Sequence, residues 1–207
     1  MSNNSTYDRN KVIRKKYKVF DANEVKGLSF DMDDFNEKYP EGQFITGIME
    51  LKFSMIGPDD TVWAGKNYTG VFKFNENFPM SPPEVKFIEK MYHPNIYSSG
   101  NVCISILHAG NDPMGEELNA ERWTPVHTLA SIIMSIICIF HDPNLYSPAN
   151  IDASVTYQHS REGLRKVING EMTMRDAYNE AVSIRDGNKT RIRHDSDDED
   201  EDEDAGY

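Results

Sequence analysis

Cysteine is scarce in this chain, with two in 207 residues, which is too few for a secreted disulfide scaffold. Cys103 and Cys138 are expected as reduced thiols, and Cys103 with His93 and His108 lacks the paired spacing of a structural zinc site. Neither metal nor cofactor is therefore expected. Residues 1–10 are polar, without the apolar core of a signal peptide, and no stretch reads as a membrane segment. A cytosolic or nuclear setting is the expectation. Basic residues are not in excess either. Lys and Arg number 22 against 34 Asp and Glu, a formal net charge of -12, and this excludes a basic nucleic-acid-binding domain.

That acidity is concentrated at one end. Asp195 and residues 197–204 supply nine of the acids, leaving 25 acids against 22 bases in the remainder, which is nearly balanced. From residue 186 no apolar pattern persists, so 186–207 is expected to be a disordered acidic tail. Residues 1–6 are expected to be a flexible N-terminus, and 7–185 one folded domain, for which 38% hydrophobic and 11% aromatic content suffices.

Residues 7–20 read as a short basic helix. Val12, Ile13, Tyr17 and Phe20 form its apolar stripe, with Arg9, Lys11, Arg14, Lys15 and Lys18 toward water. Residues 21–57 look extended. Strands are expected over 27–31, 47–56, 68–75 and 84–88, and the links between the later ones are too short for helical crossovers, so the sheet is an antiparallel meander. Thr124 as N-cap and Pro125 at the first helical position predict a helix to Phe140, apolar around most of its circumference and hence central, with Cys138 in the core. Asn150 or Asp152 caps a further helix to Val167, and 172–185 forms another. The fold class is α+β.

Residues 91–105, Met-Tyr-His-Pro-Asn-Ile-Tyr-Ser-Ser-Gly-Asn-Val-Cys-Ile-Ser, contain Pro and Gly-Asn turn chemistry and read as loop. A thiol on a braced loop is a candidate nucleophile. Taken alone, the flanking Val102 and Ile104 favour a buried structural cysteine instead.

Its surroundings change that reading. His93-Pro94-Asn95, a cysteine after seven intervening residues, Trp123 and Pro125, and then Asp142-Pro143-Asn144 and Ser147-Pro148-Ala149-Asn150 resemble the ubiquitin-conjugating enzyme family in order and spacing. Two features depart from the usual pattern: the stretch 24–46 is long, and the aromatic and glycine pattern before the third strand is reduced to Tyr68, Gly70 and Phe72. The loop 109–122, carrying Asp112, Glu116, Glu117 and Glu121, is similar to the acidic insertion of the subclass that assembles degradation-signalling chains. Some members of that subclass also carry an acidic tail.

The resemblance implies a fold with an N-terminal helix, a four-stranded antiparallel sheet, a central helix and C-terminal helices. It also implies an activity, in which Cys103 accepts ubiquitin from the activating enzyme as a thioester and passes it to lysine amines with a ligase, most simply of RING type. Asn95 is implied as the amide that steadies the oxyanion of the transfer, a donor whose removal typically costs about 2.7 to 4 kcal/mol; the residue can also act as a brace of its loop. His93 is implied as loop support and not a base, while Tyr92 and Ser147 line the mouth where the acceptor lysine arrives. Asp112, Glu116 and Glu117 are expected to orient that lysine, whose reference pKa of about 10.4 must be overcome. By the same resemblance Lys11, Arg14, Lys15 and Lys18 dock the activating enzyme, and Pro79, Met80, Thr124, Pro125 and Val126 receive the ligase.

Three alternatives stay open on the sequence. A cysteine hydrolase needs an oriented base, for which His93, His108 and His127 are available, although no recognisable protease motif surrounds Cys103. A non-catalytic binder of the same fold would ordinarily lack the cysteine. An acidic histone-binding or chaperone-like protein would rely on its tail alone.

Overall fold

The protein's structure is a computed structural model that describes residues 8–18, 25, 27–115 and 117–197, with 18 and 189–197 as backbone only. Its elements run α1 (Arg9–Lys18), β1 (Ser29–Phe30), α2 (Met32–Lys38), β2 (Met49–Ile56), β3 (Asn67–Phe74), β4 (Glu84–Phe87), α3 (Leu129–His141), α4 (Ile151–His159), α5 (Arg161–Asn169) and α6 (Met174–Asp197).

Alternation drives the sheet. In β2 the side chains of Met49, Leu51, Phe53 and Met55 are buried while Glu50 and Ile56 face water, so one face of the strand must find an apolar cover. All eight of its residues pair antiparallel with β3, from Met49 opposite Phe74 to Ile56 opposite Asn67, and β3 pairs with β4. The strand order β1-β2-β3-β4 is the expected meander. Helix α3 supplies the cover, its Phe140 ring meeting Tyr68 and Phe87 edge-on.

Several boundaries differ from the sequence reading, each for a local reason. Within the long stretch read as extended, Asp31 accepts a hydrogen bond from the amide of Asp34 and caps α2, whose Phe35 is buried. A single aromatic per two turns gives too little periodicity to reveal it. Helix α3 starts at Leu129 and not at Pro125. Thr128 and Ser131 form a reciprocal capping box there, which leaves Thr124 in the preceding turn. The expected helix to Val167 is two helices, because Ser160 ends α4 and turns its hydroxyl to the amide of Gly163 at the start of α5.

Helix α6 continues to Asp197, past the point where a disordered tail was expected. Extending an anchored helix avoids the unfavourable nucleation step, and no proline intervenes. Residues 198–207 lie outside the described ones, as do 1–7.

Arg9 also departs from expectation. Its guanidinium is buried, donating to the carbonyls of Gly47, Ile45 and Phe74. Burial lowers its pKa, against the pull of Glu76. The α1 face assigned to water therefore holds one of the anchors of the 45–47 turn.

Candidate active site

The segment before Cys103 is docked on the sheet without joining it. Isolated bridges pair Lys86 with Asn101 and Ile96 with Val102, while Gly100 accepts from the amide of Phe87 at 2.9 Å. Gly100 has φ +92, and an added Cβ would lie 2.3 Å from the Phe87 carbonyl oxygen. Only glycine allows this approach.

Three residues then fix the thiol. The Cys103 amide donates to the carbonyl of Asn95 at 2.9 Å. The Asn95 side chain, itself buried, donates through Nδ2 to the carbonyl of Asn144 at 2.7 Å and accepts from the Asn144 amide at 2.9 Å. That clasp joins the Cys103 segment to loop 142–150, and the Asn150 amide closes it by donating to the carbonyl of Pro94. Asn95 thus braces two loops at once, the second of the roles open for it on the sequence.

His93 is fully buried, its ring packed at a tilt between Trp63 and Phe140. Its Nδ1 accepts from the Asn95 amide at 3.0 Å, which makes Nε2 the protonated nitrogen that meets the Ile139 carbonyl. Desolvation pushes its pKa down to about 3. A neutral imidazole with both nitrogens committed supports the loop and has no capacity left as a base.

Tyr92 does not line the groove. Its ring is buried, its hydroxyl meets Thr156 Oγ1 at 2.9 Å, and burial raises its pKa. Alternation along the extended segment turns it toward α4, one residue away from His93. Ser147 does line the groove, with its amide turned to Asn144 Oδ1.

The groove is a cleft of about 720 Å³, open to solvent, with Cys103 half-buried in its wall. Asp112 and Glu117 sit along it, yet both are engaged within the insertion. Asp112 accepts from the amides of Met114 and Glu117, and the Glu117 carboxylate is held by His108 and by the Arg122 guanidinium. Both carboxylates are thus held by partners within the insertion and its flanks, and Glu116 lies outside the described residues.

On the sequence His108 is one of three available histidines and Tyr97 has no role; both stand beside the sulfur. His108 Nε2 lies 3.8 Å from Cys103 Sγ, and His108 Nδ1 lies 2.8 Å from Glu117 Oε1. Tyr97 donates its hydroxyl to Cys103 Sγ at 3.6 Å. That hydrogen bond, followed by charge on the sulfur, raises the tyrosine's pKa. A histidine five residues after a cysteine is a detectable signal, but its pairing with Glu117 depends on how the loop closes. Cys138 corrects a further expectation: it is exposed and lines this same cleft. Met134, four residues earlier on α3, is also exposed. Apolar residues on both faces of α3 hide its true orientation in the sequence.

The docking expectations divide. Lys11 and Lys15 are exposed on α1. Arg14 is turned inward, donating to the Tyr39 carbonyl and lying over the Phe35 ring, while the side chain of Lys18 lies outside the described residues. Met80 is 74% exposed and Val126 81%, with Pro125 exposed beside it. Pro79 and Trp123 are buried beneath them, and the Trp123 indole donates to the Pro79 carbonyl at 2.9 Å, tying the two loops into one surface. Thr124 is half-buried. Lys16, absent from the expected set, donates to the carbonyls of Pro125 and His127.

A four-stranded meander backed by α3 and carrying a half-buried cysteine on a loop clasped by asparagine defines an α+β protein with a thiol set in an open cleft. Residues 15–172 match the ubiquitin-conjugating enzyme family, and the chain belongs to it. It is 46% identical over 138 residues to ubiquitin-conjugating enzyme E2 14 of Arabidopsis thaliana, covering 63% of this chain and 83% of that protein. Over 118 residues it is 42% identical to ubiquitin-conjugating enzyme E2-34 kDa of Saccharomyces cerevisiae, spanning 57% of this chain and 40% of the yeast protein. Human ubiquitin-conjugating enzyme E2 G1 superposes with a TM-score of 0.51 at 32% identity, over 66% of this chain and 97% of the human one. The chain is an enzyme that transfers ubiquitin through a cysteine thioester, and its partners are ubiquitin, the activating enzyme and a ligase.

Proposed function

We propose that Cys103 is the residue that carries ubiquitin and that the cleft beside it receives the acceptor lysine. The single observation behind this reading is the half-buried sulfur in an open cleft, its backbone fixed through Asn95 and its far wall formed by the insertion and Ser147. The Cys103 thiolate attacks the activating enzyme's ubiquitin thioester, takes over the acyl group and releases the other thiol. A lysine amine then attacks the carbonyl and Cys103 leaves. Asn95 has its second Nδ2 hydrogen to offer the oxyanion while the Asn144 clasp holds the loop, so one amide serves both roles.

We further propose that the chain belongs to the subclass with an acidic insertion and acidic tail, and works in cytosol or nucleus. The exposed Met80 and Val126, tied together through Trp123, support a ligase of RING type at that surface, and Lys11 and Lys15 support activating-enzyme docking on α1. Incubation with activating enzyme, ATP and ubiquitin, followed by electrophoresis with and without reductant, tests the assignment. A reductant-sensitive adduct that is lost in Cys103→Ala is expected; an adduct that survives in that variant refutes it.

A further inference from the structure

We propose that His108 is the proton relay of the transfer step, held in register by Glu117, so that the acidic loop contributes a catalytic base. This rests on the reading of Cys103 as the thioester site. The geometry is a line of four groups. Sγ of Cys103 lies 3.8 Å from His108 Nε2, His108 Nδ1 lies 2.8 and 3.0 Å from the two Glu117 oxygens, and Arg122 grips Oε2 of that carboxylate. Arg122 is itself buried and donates to the carbonyls of Gly110 and Ala109, while the Glu117 amide is held by Asp112. The loop is thereby folded back on itself over the buried Arg122, with the half-buried imidazole between the Glu117 carboxylate and the sulfur.

Glu117 accepts from Nδ1, which leaves Nε2 as the lone-pair nitrogen and points it at the sulfur. Such a base can take a proton arriving next to Cys103. His93 cannot, because both its nitrogens are bonded inside the core. His127, in the same cleft, has its Nε2 turned to the Arg122 carbonyl. The other titratable groups facing the imidazole are Cys103 itself, the Tyr97 hydroxyl that donates to the same sulfur, and Asp112 and Glu121 on the cleft wall.

The neutral lysine amine forms a C–N bond with the thioester carbonyl, giving a tetrahedral intermediate with an ammonium and an oxyanion. The ammonium proton moves to His108 Nε2, and the resulting imidazolium is stabilised by the Glu117 carboxylate. The carbonyl re-forms as the C–S bond breaks, and the departing Cys103 thiolate takes the proton from Nε2. The products are an amide and the Cys103 thiol, with His108 and Glu117 returned to their starting states. His108 is the catalytic residue of this proposal and Glu117 a positioning residue.

The test is single-turnover discharge of preformed Cys103 thioester to free lysine between pH 6 and 9, with each rate divided by the neutral fraction of lysine. For the wild-type chain the corrected rate rises through one deprotonation. His108→Ala is expected to slow discharge by about 10²-fold, the lower end of the range for general base catalysis, to flatten the profile, and to regain much of the rate when free imidazole is added. Glu117→Gln, which removes the carboxylate that fixes the imidazole tautomer, is expected to slow discharge by less than His108→Ala and to regain part of the rate with free imidazole. A merely structural loop residue would slow the reaction equally at every pH and gain nothing from imidazole. That result, or a wild-type rate and profile in His108→Ala, overturns the proposal. Failure of the wild-type chain to form any thioester would instead overturn the assignment of Cys103.

Discussion

Asn95 holds two loops with one side chain, and the consequence is measurable in stability. Asn95→Ala removes both hydrogen bonds to the backbone of Asn144, a loss of about 0.5–1.5 kcal/mol for each. Calorimetry should show a melting temperature lower by several degrees, and lysine discharge should fall alongside it if the proposed oxyanion role of Asn95 holds. His93 makes a second prediction. Its folded pKa of about 3 lies below the 6.5 of an unperturbed histidine, so the unfolded chain binds a proton that the native state refuses. The stability this neutral form contributes is fully present above pH 6.5 and is lost as pH falls toward 3, with a slope on the order of 1 kcal/mol per pH unit. Urea unfolding at pH 7 and pH 5 should show a smaller drop for His93→Gln than for the wild-type chain, from a lower starting stability.

Elements extend the same logic. Gly100 lets the catalytic segment lie against β4, and Gly100→Ala places a methyl 2.3 Å from the Phe87 carbonyl in a left-handed conformation. Unfolding measurements should register a loss of more than about 1 kcal/mol, with the Cys103 loop losing amide protection before the sheet does. What the sequence revealed at this scale follows from pattern strength. The alternation of Met49, Leu51, Phe53 and Met55 is unambiguous, so β2 and the meander were legible. Helix α2, with one buried aromatic, was not. The start of α3 was misplaced because Thr124-Pro125 and Thr128 both carry helix-start chemistry, and only the capping box with Ser131 separates them. At the site, His93, Asn95 and Cys103 were legible because they sit in one contiguous segment. His108 beside the sulfur was not, because its position depends on a loop whose closure is set by Arg122, fourteen residues downstream.

For the molecule as a whole, charge separates into a near-neutral body and an acidic end, Asp195 with 197–204. A run of like charge attracts a basic partner over distances that salt screens, the Debye length being about 8 Å at physiological ionic strength. Association of the full chain with its ligase is expected to weaken as salt rises, and removal of residues 196–207 should flatten that dependence. Binding that is indifferent to salt before and after the deletion would assign the tail another use.

Cys138 opens onto the cleft that also holds Cys103. An electrophilic probe or covalent inhibitor designed for this enzyme therefore meets two handles within one recess. Labelling stoichiometry near two, and not one, should be read as the intact protein, and occupancy assays need a Cys138→Ser background before adduct mass can be equated with blockade of Cys103.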